Sequence, residues 1–329
     1  MNRSPVRAVG VIALGAALLA SACSVSGKGD QTSAGTGSRR GSSATTQTEG
    51  PSSGGGRRTL SWSSCDHGFQ CASMKVPLDY TKPDGRKLTL AMARRPASDP
   101  SERIGSLFIN PGGPGASAIE TIENIVLPDT LTDHFDIVGF DPRGVGQSSP
   151  IDCHSHLQEM YDTDPVLDTP AEKAAYLKVS QEFVDECARK YKAVLPFLGT
   201  QNVARDMDEV RKAVGDAKLT YLGYSYGTSI GQQYAQLFPT HIRAMVLDGV
   251  VDEDETGLQA AGEQAGGFEV ALKAFLADCK ASSSCPIGPN PQNVLDDVLA
   301  QSAKKPIPAP RADRPAGRGV MELGVGQAL

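Results

Sequence analysis

Short apolar runs bounded by Gly, Pro, Asn or Asp alternate along this chain with segments whose apolar positions recur at helical spacing. That alternation predicts an α/β fold, a doubly wound and mostly parallel sheet with helices on its faces. The pattern places edge strands at Met74–Tyr80 and Lys87–Arg94 and core strands at Ser106–Asn110, Phe135–Phe140, Leu219–Leu222 and Ala244–Asp248. It places helices at Ala118–Val126, Pro170–Tyr191, Val203–Val214 and Ser229–Phe238. In the third of these, Val203, Ala204, Met207, Val210 and Val214 share one face, with Arg205, Asp206, Asp208, Glu209 and Arg211 on the other. Beyond Asp252 the strand signal fades. Amphipathic helices are expected at Phe268–Cys279 and Asn293–Ala303, then a Pro-rich connector at Pro306–Pro315 and a further helix starting near Gly319.

The N-terminus changes the picture of where such a domain works. Arg3 and Arg7 precede an apolar run from Ala8 to Ala20 and the small residues Ser21 and Ala22, which reads as a secretory signal over residues 1–22. The run is shorter than the roughly 20 apolar residues a bilayer span needs. Leu18-Leu19-Ala20-Ser21-Ala22-Cys23 resembles a lipobox, which makes Cys23 the lipidation candidate; the alternative is an ordinary cleaved signal. Residues 23–58 are dominated by Gly, Ser and Thr and bury too little apolar area to offset ordering entropy, so a tether is expected there. Residues 59–252 form the expected core domain and 253–329 a partial helical cap.

A net charge of −6 and a pI near 5.5 leave no electrostatic footprint for nucleic acid. Membrane contact is expected only through an N-terminal lipid. With Cys23 set aside, Cys65, Cys71, Cys153, Cys187, Cys279 and Cys285 remain, an even number that suits disulfides in an exported chain. Fifteen connectivities are possible for six cysteines. Proximity favours Cys65–Cys71 and Cys279–Cys285, hence Cys153–Cys187. A metal site is the competing reading; it lacks C-x-x-C pairs and a His at ligand spacing, so neither metal nor cofactor is expected.

Three stretches carry chemistry. Leu219–Leu222 runs into Gly223-Tyr224-Ser225-Tyr226-Gly227 and then a helix, the strand–turn–helix order of a nucleophile elbow with Ser225 at its tip. Gly50-Pro51-Ser52-Ser53-Gly54 fits the same pentapeptide but has neither strand nor helix beside it. Asn110-Pro111-Gly112-Gly113-Pro114-Gly115 follows a strand directly. Amides of Gly112 and Gly113, with the N–H of Tyr226, are the candidate oxyanion hole; the plainer alternative is a tight turn. A phosphate loop is disfavoured because no Lys-Ser/Thr follows the glycines. Phe140-Asp141-Pro142-Arg143-Gly144-Val145-Gly146-Gln147-Ser148 follows the next strand. Asp141 and Arg143 there suit an ion pair supporting the oxyanion loop, or an Arg143 that faces a substrate carboxylate.

The order of these motifs, NPGGPG, then FDPRGVGQS, then GYSYG, then Val246-Leu247-Asp248-Gly249-Val250, resembles the proline-iminopeptidase group of α/β hydrolases. It is most similar to the secreted actinobacterial tripeptidyl-aminopeptidase-like serine peptidases, over about Leu60 to Asp252. Ala116-Ser117-Ala118 departs from the group's usual Gly-Ser-Gly. The resemblance implies an eight-stranded sheet, a helical cap after the sixth strand, and hydrolysis of peptides from a free N-terminus or of related amides and esters.

In this fold the triad runs Ser, then Asp or Glu, then His. The only histidine after Ser225 is His241, carried roughly 15–18 Å away by the intervening helix at 1.5 Å per residue. His67, His134, His154 and His156 precede the elbow. Asp248 ends the sixth strand, where some hydrolases place the triad acid; a structural role is the expectation here. The sheet is therefore expected to be C-terminally incomplete, with a truncated or split gene and little activity alone. A separately encoded C-terminal half is the implied protein partner and a peptide the implied substrate. The competing reading is a non-catalytic surface lipoprotein that binds peptides or lipids, or an esterase of the same fold.

Overall fold

A computed structural model describes residues 60–153, 159, 166–310, 312 and 315–329. The signal, the lipidation candidate Cys23 and the whole of the tether lie outside the described residues, as do His154 and His156.

Seven strands form one sheet: β1 (Ser63–Ser64), β2 (Gln70–Pro77), β3 (Lys87–Arg95), β4 (Gly105–Asn110), β5 (Phe135–Phe140), β6 (Leu219–Tyr224) and β7 (Ile242–Asp248). Their spatial order is β1-β2-β3-β5-β4-β6-β7. The first three pair antiparallel and β3 is antiparallel to β5, whereas β5, β4, β6 and β7 run parallel. Every residue of β4 and β5 is buried, which is why both read as largely apolar runs rather than alternations, with Ser106, Asn110 and Asp136 as buried polar exceptions. The strand expected at Met74–Tyr80 is β2, which starts and stops earlier than the pattern suggests; neither it nor β3 is an edge, because β1 pairs outside β2 and β5 pairs with β3. Pro77 ends β2, and Leu78 to Tyr80 turn away because their polar groups have partners elsewhere.

Helices cover both faces. α1 (Ala118–Asn124) buries Ile119 and Ile122 against one side, beside the short α2 (Asp129–Thr132). α3 (Pro170–Tyr191) is started by a capping box, Thr169 with Glu172, and a first-turn Pro. α4 (Thr200–Val214) and α5 (Tyr226–Leu237) cover the other face through Val203, Met207, Val210, Ile230 and Tyr234. After β7 come α6 (Gly257–Ala281), α7 (Pro291–Lys304) and α8 (Arg318–Ala328). α6 begins well before Phe268 because Thr256 and Gln259 form a second capping box.

The polar face of α4 is not the solvated face that periodicity suggests. Asp206, Asp208 and Arg211 are all buried. Each has a charged partner: Arg143 holds Asp206, while Arg211 and Lys212 hold Asp208. Burial of charge is tolerated only with such pairing. The disulfides join Cys65–Cys71, Cys153–Cys187 and Cys279–Cys285, with Cα separations of 5.8, 5.3 and 5.1 Å. These are the pairs that proximity favours, and the spans are ordinary for a disulfide.

Candidate active site

All three chemistry-bearing stretches and Asp248 follow the C-terminal ends of parallel strands, the end at which open α/β sheets bind ligands. Ser225 sits between β6 and α5 with φ 51° and ψ −124°, a conformation rare for a residue with a Cβ, and it is exposed. Neighbours fix that conformation. Ser225 N–H donates to Asp248 O at 2.9 Å, Thr228 N–H and Oγ1 donate to Ser225 O, and buried Tyr221 Oη donates to Gly227 O at 2.7 Å. A Cβ on Gly227 would lie 2.7 Å from Asn110 O, so the elbow rests directly on the end of β4.

Gly112 (φ 89°) brings the oxyanion loop against the elbow. A Cβ there would collide with Tyr224 O and lie 2.8 Å from Tyr226 N. Its own N–H, however, donates to Asn110 Oδ1 at 2.9 Å. Gly112 is therefore a spacer rather than a free donor. Among the described residues the N–H groups of Gly113 and Tyr226 carry no hydrogen bond, and these two remain the candidate oxyanion donors. The Gly113–Pro114 peptide is cis.

Asp141 and Arg143 do not pair with each other. Asp141 accepts from Ser117 Oγ at 2.7 Å, Ile119 N at 3.3 Å and Gln147 N at 2.9 Å. It thereby ties the start of α1, where the oxyanion loop ends, to the loop after β5. Arg143 is fully enclosed and makes a fork to Asp206 at 2.7 and 2.6 Å. Its remaining donors reach Leu78 O, Phe197 O and Pro77 O at 3.0, 2.8 and 3.2 Å. The other acceptor role of Asp206 is filled by Tyr80 Oη at 2.7 Å, and burial together with that carboxylate pushes the Tyr80 pKa up. Arg143 faces no open cleft, so the reading of it as a substrate clamp is set aside. Periodicity and motif had not indicated Asp206 or Tyr80; both lie far in sequence from Arg143.

The described imidazoles are at the wrong end of the sheet. His67 precedes β2, His134 precedes β5 and His241 precedes β7, and these strands run in the same direction as β6. All three histidines therefore lie at the N-terminal ends of strands, opposite Ser225. His241 Nδ1 is 3.0 Å from Asp208 Oδ1 and its ring stacks on Phe238 at 5.6 Å. The twelve residues of α5 separate it from Ser225 by about 18 Å. Ser225 Oγ makes no hydrogen bond among the described residues. Asp248 contributes its carbonyl to the elbow, while its exposed side chain has no hydrogen-bond partner among them. No group of three or more His, Cys, Asp or Glu suited to a metal occurs among the described residues.

A family model described as alpha/beta hydrolase fold matches residues 105–317. The chain is 43% identical over 258 residues to serine protease Hip1 of Mycobacterium tuberculosis, covering 76% of this chain and 49% of that protein. Tripeptidyl aminopeptidase of Streptomyces coelicolor is 38% identical over 271 residues, covering 76% and 50%. Carboxylesterase B of Mycobacterium tuberculosis is 40% identical over 267 residues, covering 74% and 51%. The chain spans about half the length of these curated relatives.

Proposed function

Because this chain belongs to the α/β hydrolase fold family, we propose that it is an exported serine hydrolase that uses Ser225 on peptides presented by their free amino end. The observation that carries the reading is the elbow itself: an exposed serine at φ 51°, beside two unengaged backbone donors. Ser225 Oγ would attack the scissile carbonyl, and the N–H groups of Tyr226 and Gly113 would take the charge that builds on its oxygen. The names serine protease and tripeptidyl aminopeptidase, borne by relatives, support a peptide over other acyl substrates.

A serine hydroxyl without a base is a weak nucleophile at neutral pH. Loss of the histidine in a comparable triad costs about a millionfold in turnover. With no described imidazole near Ser225, we attribute little turnover to this chain alone. The base would come from a segment outside the described residues that adds to the sheet beside β7, the edge strand next to the elbow strand. Export and lipid attachment at Cys23 complete the proposal; the three disulfides support an oxidising compartment. Palmitate incorporation that is lost in Cys23→Ser tests the anchor.

A fluorophosphonate probe tests the nucleophile, since it needs an activated serine. Slow labelling that Ser225→Ala removes supports the hydrolase, the slow rate reflecting the base that no described residue supplies. An unlabelled chain that still binds peptides or lipids supports the second reading, a non-catalytic surface lipoprotein, which the remoteness of the described imidazoles favours. An esterase is the remaining variant, suggested by the relative named carboxylesterase B. Comparing a peptide anilide with an aryl ester separates the two.

A further inference from the structure

The hydroxyl of Thr228 stands in a chain of hydrogen bonds that ends at the candidate oxyanion hole. Thr228 is fully enclosed in the first turn of α5. Its N–H and its Oγ1 both donate to Ser225 O, at 2.8 and 2.6 Å. Val251 N–H in turn donates to Thr228 Oγ1 at 3.0 Å. A threonine hydroxyl has one hydrogen to give, and with Val251 N–H on the oxygen that hydrogen goes to Ser225 O. Val251 is itself held, because Gln232 Nε2 donates to its carbonyl at 2.9 Å. The other peptide unit of the serine is held by the same loop, since Ser225 N–H donates to Asp248 O. Asp248 and Val251, on either side of the turn at Gly249 (φ 67°), therefore grip the peptide units before and after Ser225.

We infer that Thr228 is a positioning residue of the oxyanion hole, its hydroxyl passing a hydrogen bond from the loop after β7 to the carbonyl behind the Tyr226 donor. The inference rests on the hydrolase reading above. Ser225 O and Tyr226 N–H belong to one peptide unit. A trans peptide is planar with its C=O and N–H pointing in opposite directions, so whatever fixes the carbonyl also fixes the line of the N–H. Hydrogen bonds to the carbonyl polarise the amide as well, and bonds in a chain strengthen one another by about 10–30% each. Two donors on Ser225 O therefore aim the Tyr226 N–H and make it a stronger donor. Helix capping alone does not call for the hydroxyl. Thr228 N–H already supplies the first bond that the residue before a helix accepts on its carbonyl, and Oγ1 adds a second.

The test compares Thr228→Ala with Thr228→Ser in the full chain, because these two variants differ from each other only by the hydroxyl. Each is treated with a fluorophosphonate probe, whose phosphoryl oxygen takes the oxyanion position as Ser225 Oγ displaces fluoride. Thr228→Ala should react about tenfold more slowly than Thr228→Ser, a smaller loss than the ~10²–10³ that removing an oxyanion donor costs. Isotope-labelled tyrosine supplies a second readout: the Tyr226 amide nitrogen resonance should move upfield in Thr228→Ala and return in Thr228→Ser. A hydroxyl with only a structural role would lower the urea midpoint of Thr228→Ala and move neither readout. Equal labelling rates for the two variants, or a Tyr226 resonance that is the same in both, would overturn the inference. Labelling of the wild-type chain separates the two failures. A wild type that does not react sinks the hydrolase reading and the inference with it, whereas a reactive wild type with equal variant rates sinks the inference alone.

Discussion

The two ends of the parallel sheet region are built differently. Around β4, β5 and β6 nearly every residue is buried, and the elbow and oxyanion loop stand on that support. At β7 and beyond, Val246 is 58% exposed, Val250 61%, and Leu258, Val270 and Phe275 on neighbouring segments are exposed too. Of the 25 residues of α6 only Leu276 and Cys279 are buried. A parallel strand with an open edge and a bare face is unusual, because such sheets are normally covered on both sides. The difference teaches that Ser225, the candidate nucleophile, and the candidate oxyanion loop rest on a well-packed local scaffold, whereas the region beside them is sparsely packed. Among the described residues, the elbow adjoins the part of the fold that is least packed.

The comparison breaks hardest at Arg143. Replacing it with Ala strands Asp206 as a buried unpaired carboxylate and should cost about 3–5 kcal/mol, read as a lower urea midpoint. Gly227→Ala pushes a methyl into the Asn110 carbonyl and should cost about 3 kcal/mol, the upper range for overpacking. Cys279→Ser acts on the loose side. It should remove about 2 kcal/mol from the α6–α7 junction and raise amide exchange there, leaving β4 and β5 protected. Val246→Ser, on the exposed face, should change stability by no more than about 0.5 kcal/mol and reduce self-association in light scattering. A large loss at Val246 would mean that this face is covered in solution.

Sequence patterning located the strands because buried parallel strands are apolar along their whole length, as in Leu107–Ile109 and Ile137–Val138. It located Ser225 because an elbow needs small residues on both sides of the serine. In α4 helical spacing put Asp206, Asp208 and Arg211 on the face opposite the apolar one, and it says nothing of partners more than 60 residues away or across the helix that bury them. Gly112 was legible as a loop glycine, but not as a residue whose N–H turns back to Asn110. Hydrogen bonds of that kind depend on side-chain placement, which no motif spacing encodes. The capping boxes at Thr169 and Thr256 were written in the chain, and the second sets the start of α6.

The central claim is that Ser225 is positioned for acyl transfer yet lacks a base among its described neighbours. Its most direct test is turnover of a fluorogenic tripeptide amide by the purified chain beside Ser225→Ala. The account predicts indistinguishable, near-background rates for the two. Turnover by the wild-type chain that disappears in Ser225→Ala would contradict it.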